Sequence, residues 1–441
     1  MLLPHKLVSS RCSGLAGALA PPGDKSISHR SVMLGGIAEG TTAVRGLLEG
    51  EDVLRTISAL RAMGAEIHKD AQGIWHIKGV GESGLRAPEE ILDVGNSGTS
   101  ARLLIGLVAG CPFSARFTGD ASLRKRPMGR VIEPLTLMGA RFESEGGKLP
   151  LTVTGSLHPT AIAYTLPVAS AQVKSAILLA GLGAEGTTVV TESIPTRDHS
   201  ENMLRGFGAK IAVEKRSDGA DVISIAGKPK LKAQNISVPA DPSSAAFPLV
   251  AALLNPGSRV TLRHVGINPR RAGLIEVLQW MGGKIDIENQ RVESGEPVAD
   301  LVVSGSDLSG VEVPAAHVPS MIDEYPILSI AASCAKGVTR MRGLGELRVK
   351  ESDRLSLMAK GLAQCGVKVE IEGDDLIVSG DGKPPRGEAT IETEMDHRIA
   401  MSFLVLGTCA ANPVCIDDGS FIATSFPGFV PMINGLGAKI T

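Results

Sequence analysis

Six short polar segments recur along the chain at nearly constant spacing, and their residue types are suited to binding anions. They are GDKSISHR near Ser26, GNSGTSAR near Gly98, ASAQVKSA near Ser170, DPSSAA near Ser243, PSMIDEYP near Ser320 and MDHRIAMS near Asp396. The steps between them are 72, 72, 73, 77 and 76 residues. Small polar residues ahead of an apolar helical stretch leave backbone N–H groups at a helix N-terminus open to an acidic ligand. We therefore expect six helix starts that together bind anions.

Basic residues accompany these segments, and a few carboxylates interrupt them. The cations are Lys25, Arg30, Arg102, Arg126, Lys174, Lys350, Arg354 and Arg398. Asp323 and Glu324 lie in an otherwise apolar stretch, which favours carboxylates held there for a purpose. The segment RVKESDR predicts a helix with Lys350 and Arg354 on one face, a pattern most often found in surface salt bridges. Each pattern alone also fits an ordinary helix cap, and only their coincidence at six regularly spaced positions favours an anion site.

Composition and the absence of other motifs exclude several function classes. A net charge of -2 and an aromatic content of 3% argue against nucleic-acid binding. The sequence has no H-E-x-x-H, no Cys/His ligand spacing, no G-x-S-x-G and no phosphate-binding G-x-x-x-x-G-K-[ST]. The six cysteines form no C-x-x-C pair, and no apolar run is long enough to span a membrane, so we expect a cytoplasmic protein. The predicted chemistry is positioning and acid–base work on small anions, without metal or cofactor.

A second series of phrases shows which elements must position these residues. The pattern x-Gly-Ala/Gly/Val-x-apolar occurs six times, with steps of 75, 69, 74, 84 and 71 residues between the glycines Gly64, Gly139, Gly208, Gly282, Gly366 and Gly437. In the first copy, residues 28–38 predict a buried helix, 53–63 an amphipathic helix, and the turn at 70–73 a hairpin. Gly64 follows the last periodic position as a helix C-cap would. A fixed period predicts one supersecondary unit used six times.

Six units divide naturally into three plus three, because 441 residues exceed a single core. Pro239 and Pro242 flank the midpoint, and a Pro-Pro-Gly at 21–23 opens the first unit. We predict two crossings, near 22 and 240, between a domain of residues 23–240 and a domain of residues 1–22 and 241–441. The residues before 21 precede any complete repeat and could pair with the far half. The buried helices are expected to point their N-termini at the cleft between the domains.

The segments PGDKSISHR, GNSGTSAR, GDASLRKRP, SAQVKSA, RVKESDRL and DHRIAMSF resemble, in order and spacing, the signature segments of the EPSP synthase family. The resemblance covers nearly the whole chain, and PSMIDEYP resembles the bacterial branch. It implies an α/β fold of two lobes, each built from three βαβαββ units. It also implies transfer of the enolpyruvyl group of phosphoenolpyruvate to the 5-hydroxyl of shikimate 3-phosphate through a tetrahedral ketal, in the shikimate pathway of aromatic amino acid biosynthesis. A monomer without cofactor, inhibited by glyphosate, is expected.

The resemblance also implies site residues. For shikimate 3-phosphate they are Lys25, Ser26, Arg30, Ser170, Ala171, Gln172, Arg197, Asp323 and Lys350. For phosphoenolpyruvate they are Lys25, Asn96, Gly98, Arg126, Gln172, Arg354 and Arg398. Asp323 is similar to the base at the 5-hydroxyl, Glu351 to the proton donor and acceptor at the methylene carbon, and Lys25 to the lysine that touches both substrates. Two positions depart from relatives: Ala171 stands where some have serine, and Thr424 where plant-like relatives have lysine.

Three alternatives remain open from the residues. The first is UDP-N-acetylglucosamine enolpyruvyl transferase, whose loop carries a reactive cysteine, whereas GDASLRKRP has none and Cys111 precedes it. The second is a non-catalytic anion-binding repeat protein, which the carboxylates Asp323 and Glu351 disfavour because they would oppose anion binding. The third, cyclisation of RNA ends on a related fold, is disfavoured by the acidic balance and the scarce aromatics.

Overall fold

The computed structural model describes residues 5–441 and shows an α/β protein. Its helices are α1 Lys25–Ile37, α2 Glu51–Ala62, α3 Gly98–Ala109, α4 Gly129–Leu137, α5 Ala171–Gly181, α6 His199–Gly206, α7 Pro242–Leu254, α8 Gly273–Trp280, α9 Val318–Met321, α10 Tyr325–Cys334, α11 Arg354–Gln364, α12 His397–Cys409 and α13 Phe429–Gly435.

The described part of the chain also forms short strands. They are β1 Leu7–Ser10, β2 Ala16–Leu19, β3 Thr41–Arg45, β4 Glu66–Lys69, β5 Trp75–Lys78, β6 Leu92–Asp93, β7 Ser114–Thr118, β8 Arg141–Ser144, β9 Leu151–Thr154, β10 Ala163–Thr165, β11 Thr187–Glu192, β12 Ile211–Lys215, β13 Asp221–Ala226, β14 Asn235–Ser237, β15 Arg259–Gly266, β16 Lys284–Glu293, β17 Glu296–Ser304, β18 Glu312–Val313, β19 Lys336–Met341, β20 Lys368–Glu372, β21 Asp375–Asp381, β22 Ala389–Ile391, β23 Val414–Ile416 and β24 Lys439–Ile440.

The strands form six four-stranded sheets, and the sheets share one plan. The sheet β6-β7-β9-β8 shows it: β6 pairs parallel with β7, β7 antiparallel with β9, and β9 antiparallel with β8. With the two helices between its strands, this unit reads β6–α3–β7–α4–β8–β9. The βαβαββ repeat that the resemblance implied is therefore present, and the prediction of one unit used six times is confirmed.

Three of the sheets are completed by strands from distant parts of the sequence. β2 pairs parallel with β15, and β14 pairs parallel with β3. β1 fills the third position of the last sheet, between β23 and β24. The residues that precede the first repeat thus join sheets made by the C-terminal half of the chain.

The chain separates into two compact units, which we call the central and the terminal unit. The central unit comprises Gly23–Val238 and Glu293–Glu296, and the terminal unit comprises the described residues up to Pro22 together with Pro239–Val292 and Pro297–Thr441. Each unit has its own hydrophobic core. Three sheets belong to each unit, and the buried helices are α1, α3 and α5 in the central one and α7, α10 and α12 in the terminal one.

The six recurring glycines terminate the amphipathic helices. Each lies two residues beyond the last residue of α2, α4, α6, α8, α11 or α13, and each has a positive φ between 82° and 113°. A residue with a Cβ is strained in this left-handed conformation, which explains why glycine recurs there. The C-cap prediction is confirmed.

The buried helices begin at the polar segments, as predicted. In five of the six, the side chain of the residue before the helix accepts a hydrogen bond from a backbone N–H of the first turn: Asp24, Ser97, Ser170, Asp241 and Asp396. The exception is α10, whose preceding residue Glu324 makes no such bond. These caps satisfy backbone donors that would otherwise lack partners.

Small residues let α3 and α5 approach closely in the central unit. A Cβ added at Gly106 would lie 2.5 Å from the backbone oxygen of Ala176, and one added at Gly110 would lie 2.8 Å from that of Ala180. The close contact fixes the spacing of two helices whose first turns carry predicted site residues. Within residues 5–441, no helix is both long and apolar enough to cross a membrane.

Candidate functional site

Lys25 opens helix α1 and is held by an ion pair. Asp24 caps the helix, because its carboxylate accepts a hydrogen bond from the backbone of the first turn at 2.8 Å. The Nζ atom of Lys25 lies 2.9 Å from Oδ2 of Asp52, a largely buried carboxylate at the start of α2. The pair positions the ammonium group at the N-terminal end of α1.

Arg30 lies one turn further along α1 and is 5% exposed. Its guanidinium donates to three neutral oxygens: Oγ of Ser200 at 2.7 Å, Oγ of Ser175 at 2.8 Å and the backbone oxygen of Ser26 at 2.9 Å. The two hydroxyls are also 2.7 Å from each other. The predicted neighbours Ser26 and Arg30 are thus in direct contact, and α5 and α6 supply the hydroxyls.

Burial and neighbouring charges set the pKa of the Arg30 guanidinium. Burial lowers the pKa of the Arg30 guanidinium to about 10, and the positive charge of Arg197 contributes to the lowering. The carboxylates of Glu201 and Asp24 act in the opposite direction and raise this pKa. Two guanidiniums that repel in this way favour an anion between or beside them.

The first turns of α3 and α5 are joined by hydrogen bonds. Ser170 caps α5, and Ala171 is the first helical residue. Gln172 donates from Nε2 to Oγ1 of Thr99 at 3.0 Å and accepts from Nη1 of Arg102 at 2.8 Å. The structure therefore brings the predicted residues of the third polar segment beside those of the second.

Asn96, Gly98 and Arg126 also lie together. Arg126 donates to Oδ1 of Asn96 at 2.7 Å, and Asn96 donates to Oδ2 of Asp120 at 2.6 Å. A Cβ added at Gly98 would lie 2.8 Å from Nη1 of Arg102 and 3.2 Å from Nη1 of Arg126. Glycine at the start of α3 therefore leaves room for two guanidiniums beside exposed helix N–H groups.

In the terminal unit, three carboxylates surround one arginine. Arg354 is 1% exposed and donates to Asp396 through Nε at 2.8 Å and Nη2 at 3.3 Å. Its Nη2 lies 2.5 Å from Oε2 of Glu351, and its Nη1 donates to Oδ1 of Asp323 at 3.2 Å. The two carboxylates predicted to transfer protons, Asp323 and Glu351, are thus held by the same guanidinium.

The charges of this cluster stabilise one another. Burial alone would lower the pKa of Arg354, but the carboxylates of Asp396, Glu351 and Asp323 outweigh it and raise this pKa. Burial would raise the pKa of Asp396, but the charge of Arg354, the charge of His397 and the hydrogen bond from Arg354 together lower it. Arg354 and Asp396 therefore remain ionised at neutral pH.

Lys350 and Arg398 complete the terminal cluster. The Nζ atom of Lys350 lies 3.4 Å from Oδ1 of Asp323, and Arg398 donates from Nη1 to the backbone oxygen of Asp323 at 3.0 Å. The same Nη1 is 3.5 Å from Oε1 of Glu324, a buried carboxylate that accepts a hydrogen bond from Ser243. Asp323 is therefore the point at which the predicted residues of three segments meet.

One local prediction was wrong. Lys350 and Arg354 do not share a helix face, because Asp353 caps α11 and the helix begins only at Arg354. Nor is this a surface salt bridge, since Arg354 is buried. The two cations meet because the backbone turns before α11, and both contact Asp323.

Sequence reasoning missed residues that hold the predicted ones in place. They are Asp52, Asp120, Ser175 and Ser200. Asp396 is a helix cap and also the main partner of Arg354. Ser175 lies inside a recognised polar segment, whereas nothing in the sequence singles out Asp52. Thr424, where relatives carry lysine, donates its hydroxyl hydrogen to the backbone oxygen of Phe421 at 2.7 Å.

Nowhere in residues 5–441 do three or more His, Cys, Asp or Glu side chains cluster in a way that could hold a metal ion. The candidate residues of the central unit are instead helix starts and cations, and in the terminal unit carboxylates accompany the cations.

Comparisons with known proteins agree with this arrangement. The family model for EPSP synthase (3-phosphoshikimate 1-carboxyvinyltransferase) matches residues 10–433. A 3-phosphoshikimate 1-carboxyvinyltransferase of Paramagnetospirillum magneticum is 59% identical over 442 residues, covering 100% of this chain and 99% of the relative. The solved EPSP synthase of Acinetobacter baumannii has a TM-score of 0.87 and 47% identity, with 99% of each chain covered. The enolpyruvyl transferase NikO of Streptomyces tendae, at 18% identity and a TM-score of 0.79, shares the fold.

Proposed function

Because this chain belongs to the EPSP synthase family, we propose that it transfers the carboxyvinyl group of phosphoenolpyruvate to the 5-hydroxyl of shikimate 3-phosphate and releases phosphate. The step belongs to the shikimate pathway of aromatic amino acid biosynthesis. The observation that carries the proposal is the cluster in which Asp323 and Glu351 contact the buried Arg354. A protein that only bound anions would gain nothing from carboxylates at this position.

We assign shikimate 3-phosphate to the group of residues around α1 and α5. Its phosphate would bind at the first turn of α5, to Ser170, Ala171, Gln172 and Arg197. Backbone N–H groups and a guanidinium are strong ligands for a dianion. Ser26 and Arg30 would bind the ring and carboxylate, and Lys25 would reach both substrates.

We assign phosphoenolpyruvate by its two acidic ends. Its phosphate would bind at Asn96, Gly98 and Arg126, with Gln172 and Lys25 beside it. Its carboxylate would bind to Arg354 and Arg398. The space at Gly98 and the guanidinium beside it support the first assignment, and the buried, permanently charged Arg354 supports the second.

The proton transfers follow from the two carboxylates. Glu351 would donate a proton to the methylene carbon of phosphoenolpyruvate, which leaves C2 electron-poor. Asp323, with Lys350 beside it, would accept the proton of the 5-hydroxyl as its oxygen forms a bond to C2. In the elimination, the bond from C2 to the phosphate oxygen breaks and the methyl carbon returns a proton to Glu351. Proton transfer by a positioned side chain contributes about 10²- to 10⁴-fold to a rate.

The nearest alternative is less well supported. A UDP-N-acetylglucosamine enolpyruvyl transferase would need a reactive cysteine near residue 121. Burial raises the pKa of Cys111 to about 11, and its thiol donates to the backbone oxygen of Leu107 at 3.3 Å. A thiol in this state is a poor nucleophile.

A phosphate-release assay tests the proposal. Purified protein is incubated with phosphoenolpyruvate and shikimate 3-phosphate, each omitted in turn, with UDP-N-acetylglucosamine as the alternative acceptor. We expect phosphate only when both proposed substrates are present. Release with UDP-N-acetylglucosamine, or none with either acceptor, would overturn the proposal. A cytoplasmic location, a monomeric state and membership of the bacterial branch stay predictions.

A further inference from the structure

A lysine without any exposed surface lies beneath the residues assigned to the phosphate of shikimate 3-phosphate. The Nζ atom of Lys174, on α5, is 2.9 Å from Oε1 of Glu192 and 2.7 Å from Oε1 of Glu201. The three side chains are 0%, 1% and 2% exposed. We call this group the buried lysine cluster.

Glu192 ties the buried lysine cluster to the loop that carries Arg197. Its Oε1 accepts a hydrogen bond from the backbone N–H of Thr196 at 3.1 Å, and its Oε2 accepts one from the Thr196 hydroxyl at 2.7 Å. Thr196 immediately precedes Arg197. A loop held by two bonds to a fixed carboxylate presents its next side chain in a defined direction.

Glu201 ties the cluster to Arg30. Glu201 follows Ser200 on α6, and Ser175 follows Lys174 on α5. On each helix, therefore, one residue contacts Arg30 and its neighbour belongs to the buried lysine cluster, which gives two layers of contacts. The upper layer is the pair of hydroxyls that accept from Arg30. The lower layer is the contact between Lys174 and Glu201.

The energetics argue that stability is not the reason for this cluster. Taking ions out of water is costly, and well-packed apolar side chains at such positions are often equally or more stabilising. Burial raises the pKa of Glu201, which reports this cost. Buried ionic groups are retained in some proteins because they specify one geometry. The geometry specified here is that of α5, α6 and the Arg197 loop, which carry or hold residues assigned to shikimate 3-phosphate.

We propose that Lys174, Glu192, Thr196 and Glu201 are positioning residues for shikimate 3-phosphate. They act on its phosphate through Arg197, by way of Thr196, and on its ring and carboxylate through Arg30, by way of Ser200. The inference rests on the proposed function, which assigns shikimate 3-phosphate to these residues.

Thr196→Val tests the inference, since it removes the hydroxyl and keeps the shape. Loss of this hydrogen bond to a charged group loosens the backbone just before Arg197, so we expect KM for shikimate 3-phosphate to rise about tenfold. KM for phosphoenolpyruvate and kcat should change less than about twofold, because the residues assigned to phosphoenolpyruvate and to proton transfer are unchanged. Dissociation constants for shikimate 3-phosphate, measured by calorimetry, should rise in parallel.

Two variants serve as controls. Thr188→Val removes a buried hydroxyl on the same strand as Glu192, and this hydroxyl has no hydrogen-bond partner among the described residues. Ile223→Ala opens a cavity in the same sheet and lowers the melting temperature without touching the cluster. Neither should move either KM. A comparable rise of KM in the cavity variant would mean that lost stability explains the effect, and it would overturn the inference.

A double-mutant cycle adds a second criterion. Glu192→Gln keeps the shape but loses the charge, and it should raise KM for shikimate 3-phosphate in the same direction. The double variant Glu192→Gln/Thr196→Val should be no worse than the weaker-binding single variant, because both act through one contact. Additive effects, or an unchanged KM in Thr196→Val, would overturn the inference. If the wild-type protein releases no phosphate, the proposed function fails instead.

Discussion

The guanidinium groups of the central and the terminal unit have different hydrogen-bond partners. In the central unit, Arg30 donates to three neutral oxygens, and Arg126 donates to an amide oxygen and a hydroxyl oxygen. In the terminal unit, the guanidinium of Arg354 contacts three carboxylates, and Lys350 contacts one. Neutral partners hold a cation in place without cancelling its charge, so these guanidinium groups of the central unit are suited to bind dianionic phosphates. Carboxylate partners cancel the charge but place groups that can carry protons.

Carboxylates also offset part of the positive charge of the candidate residues. Six cations, Lys25, Arg30, Arg126, Lys350, Arg354 and Arg398, match the roughly five to six negative charges of two phosphates and two carboxylates. The count takes no account of Asp52, Asp323, Glu324, Glu351 and Asp396, which lie against four of these cations. Positive charge that is not offset by carboxylates is therefore concentrated among the candidate residues of the central unit.

The largest expected effect is on turnover and comes from the two candidate catalytic carboxylates of the terminal unit. Glu351→Gln and Asp323→Asn each remove a proton-carrying group, and we expect kcat to fall by about 10²- to 10⁴-fold. The dissociation constant for shikimate 3-phosphate should change little in Glu351→Gln, because its phosphate ligands lie in the central unit. Glu370→Gln, which neutralises an exposed carboxylate on β20, is the matched control. Full turnover in Glu351→Gln would show that the terminal carboxylates are not catalytic.

A smaller effect, on stability, compares the two arginines directly. Arg354→Met leaves three carboxylates without their shared cation and should cost about 3–5 kcal/mol in the free energy of unfolding. Arg30→Met leaves only neutral oxygens and should cost about 1–3 kcal/mol. Arg348→Met, which breaks exposed ion pairs with Asp374 and Asp353, should cost less than about 1 kcal/mol. Urea unfolding of the three variants measures the order, and an equal cost for Arg354→Met and Arg30→Met would remove the contrast.

Gly98→Ala probes the space beside Gly98 at the start of α3, in the central unit. The added Cβ falls 2.8 Å from Nη1 of Arg102, so that guanidinium and the one of Arg126 must shift. We expect the inhibition constant for glyphosate to rise about tenfold, which corresponds to 1.4 kcal/mol, and KM for phosphoenolpyruvate to rise only a few-fold. Steady-state inhibition kinetics of the wild type and Gly98→Ala measure both values. An unchanged inhibition constant would argue against placing the inhibitor beside Gly98.

The smallest effect is in the pH dependence of stability, where two buried carboxylates have opposite signs. Burial raises the pKa of Glu201 above its ordinary value of 4.5. The folded state then binds more protons than the unfolded state, and the contribution of Glu201 to stability falls as pH rises through this range. Glu201→Gln should flatten that fall in unfolding curves measured between about pH 4.5 and pH 7.

Asp396 provides the contrast, because Arg354 overcomes burial and lowers its pKa below 3.8. Its contribution is present above pH 3.8 and is lost as pH falls through the lowered value. Glu201→Gln should leave this acid limb unchanged. A change in the acid limb instead of the neutral one would mean that the two carboxylates are assigned the wrong signs.

Much of the fold was accessible from the sequence because its signals are local and repeated. The glycines that follow the six amphipathic helices, such as Gly64, adopt a positive φ in every copy of the unit. Their regular spacing along the sequence therefore reveals the repeated unit. The polar caps, such as Ser97, likewise act within one helical turn. Sequence reasoning offered only the suggestion that the residues of β2 could pair with the far half, and it gave no indication that β14 pairs with β3, since parallel pairing leaves no local signature.

The sequence by itself determined the repeat, the helix starts and the types of residue gathered at them, because capping, glycine conformation and hydrophobic periodicity act over a few neighbours. Only the tertiary structure decided the partners of each charge. Asp52 joins Lys25, and Asp396 joins Arg354, across 27 and 42 residues of chain. The energy of a buried ion pair depends on distance and on exclusion of water, and neither is encoded in the spacing of residues along the chain.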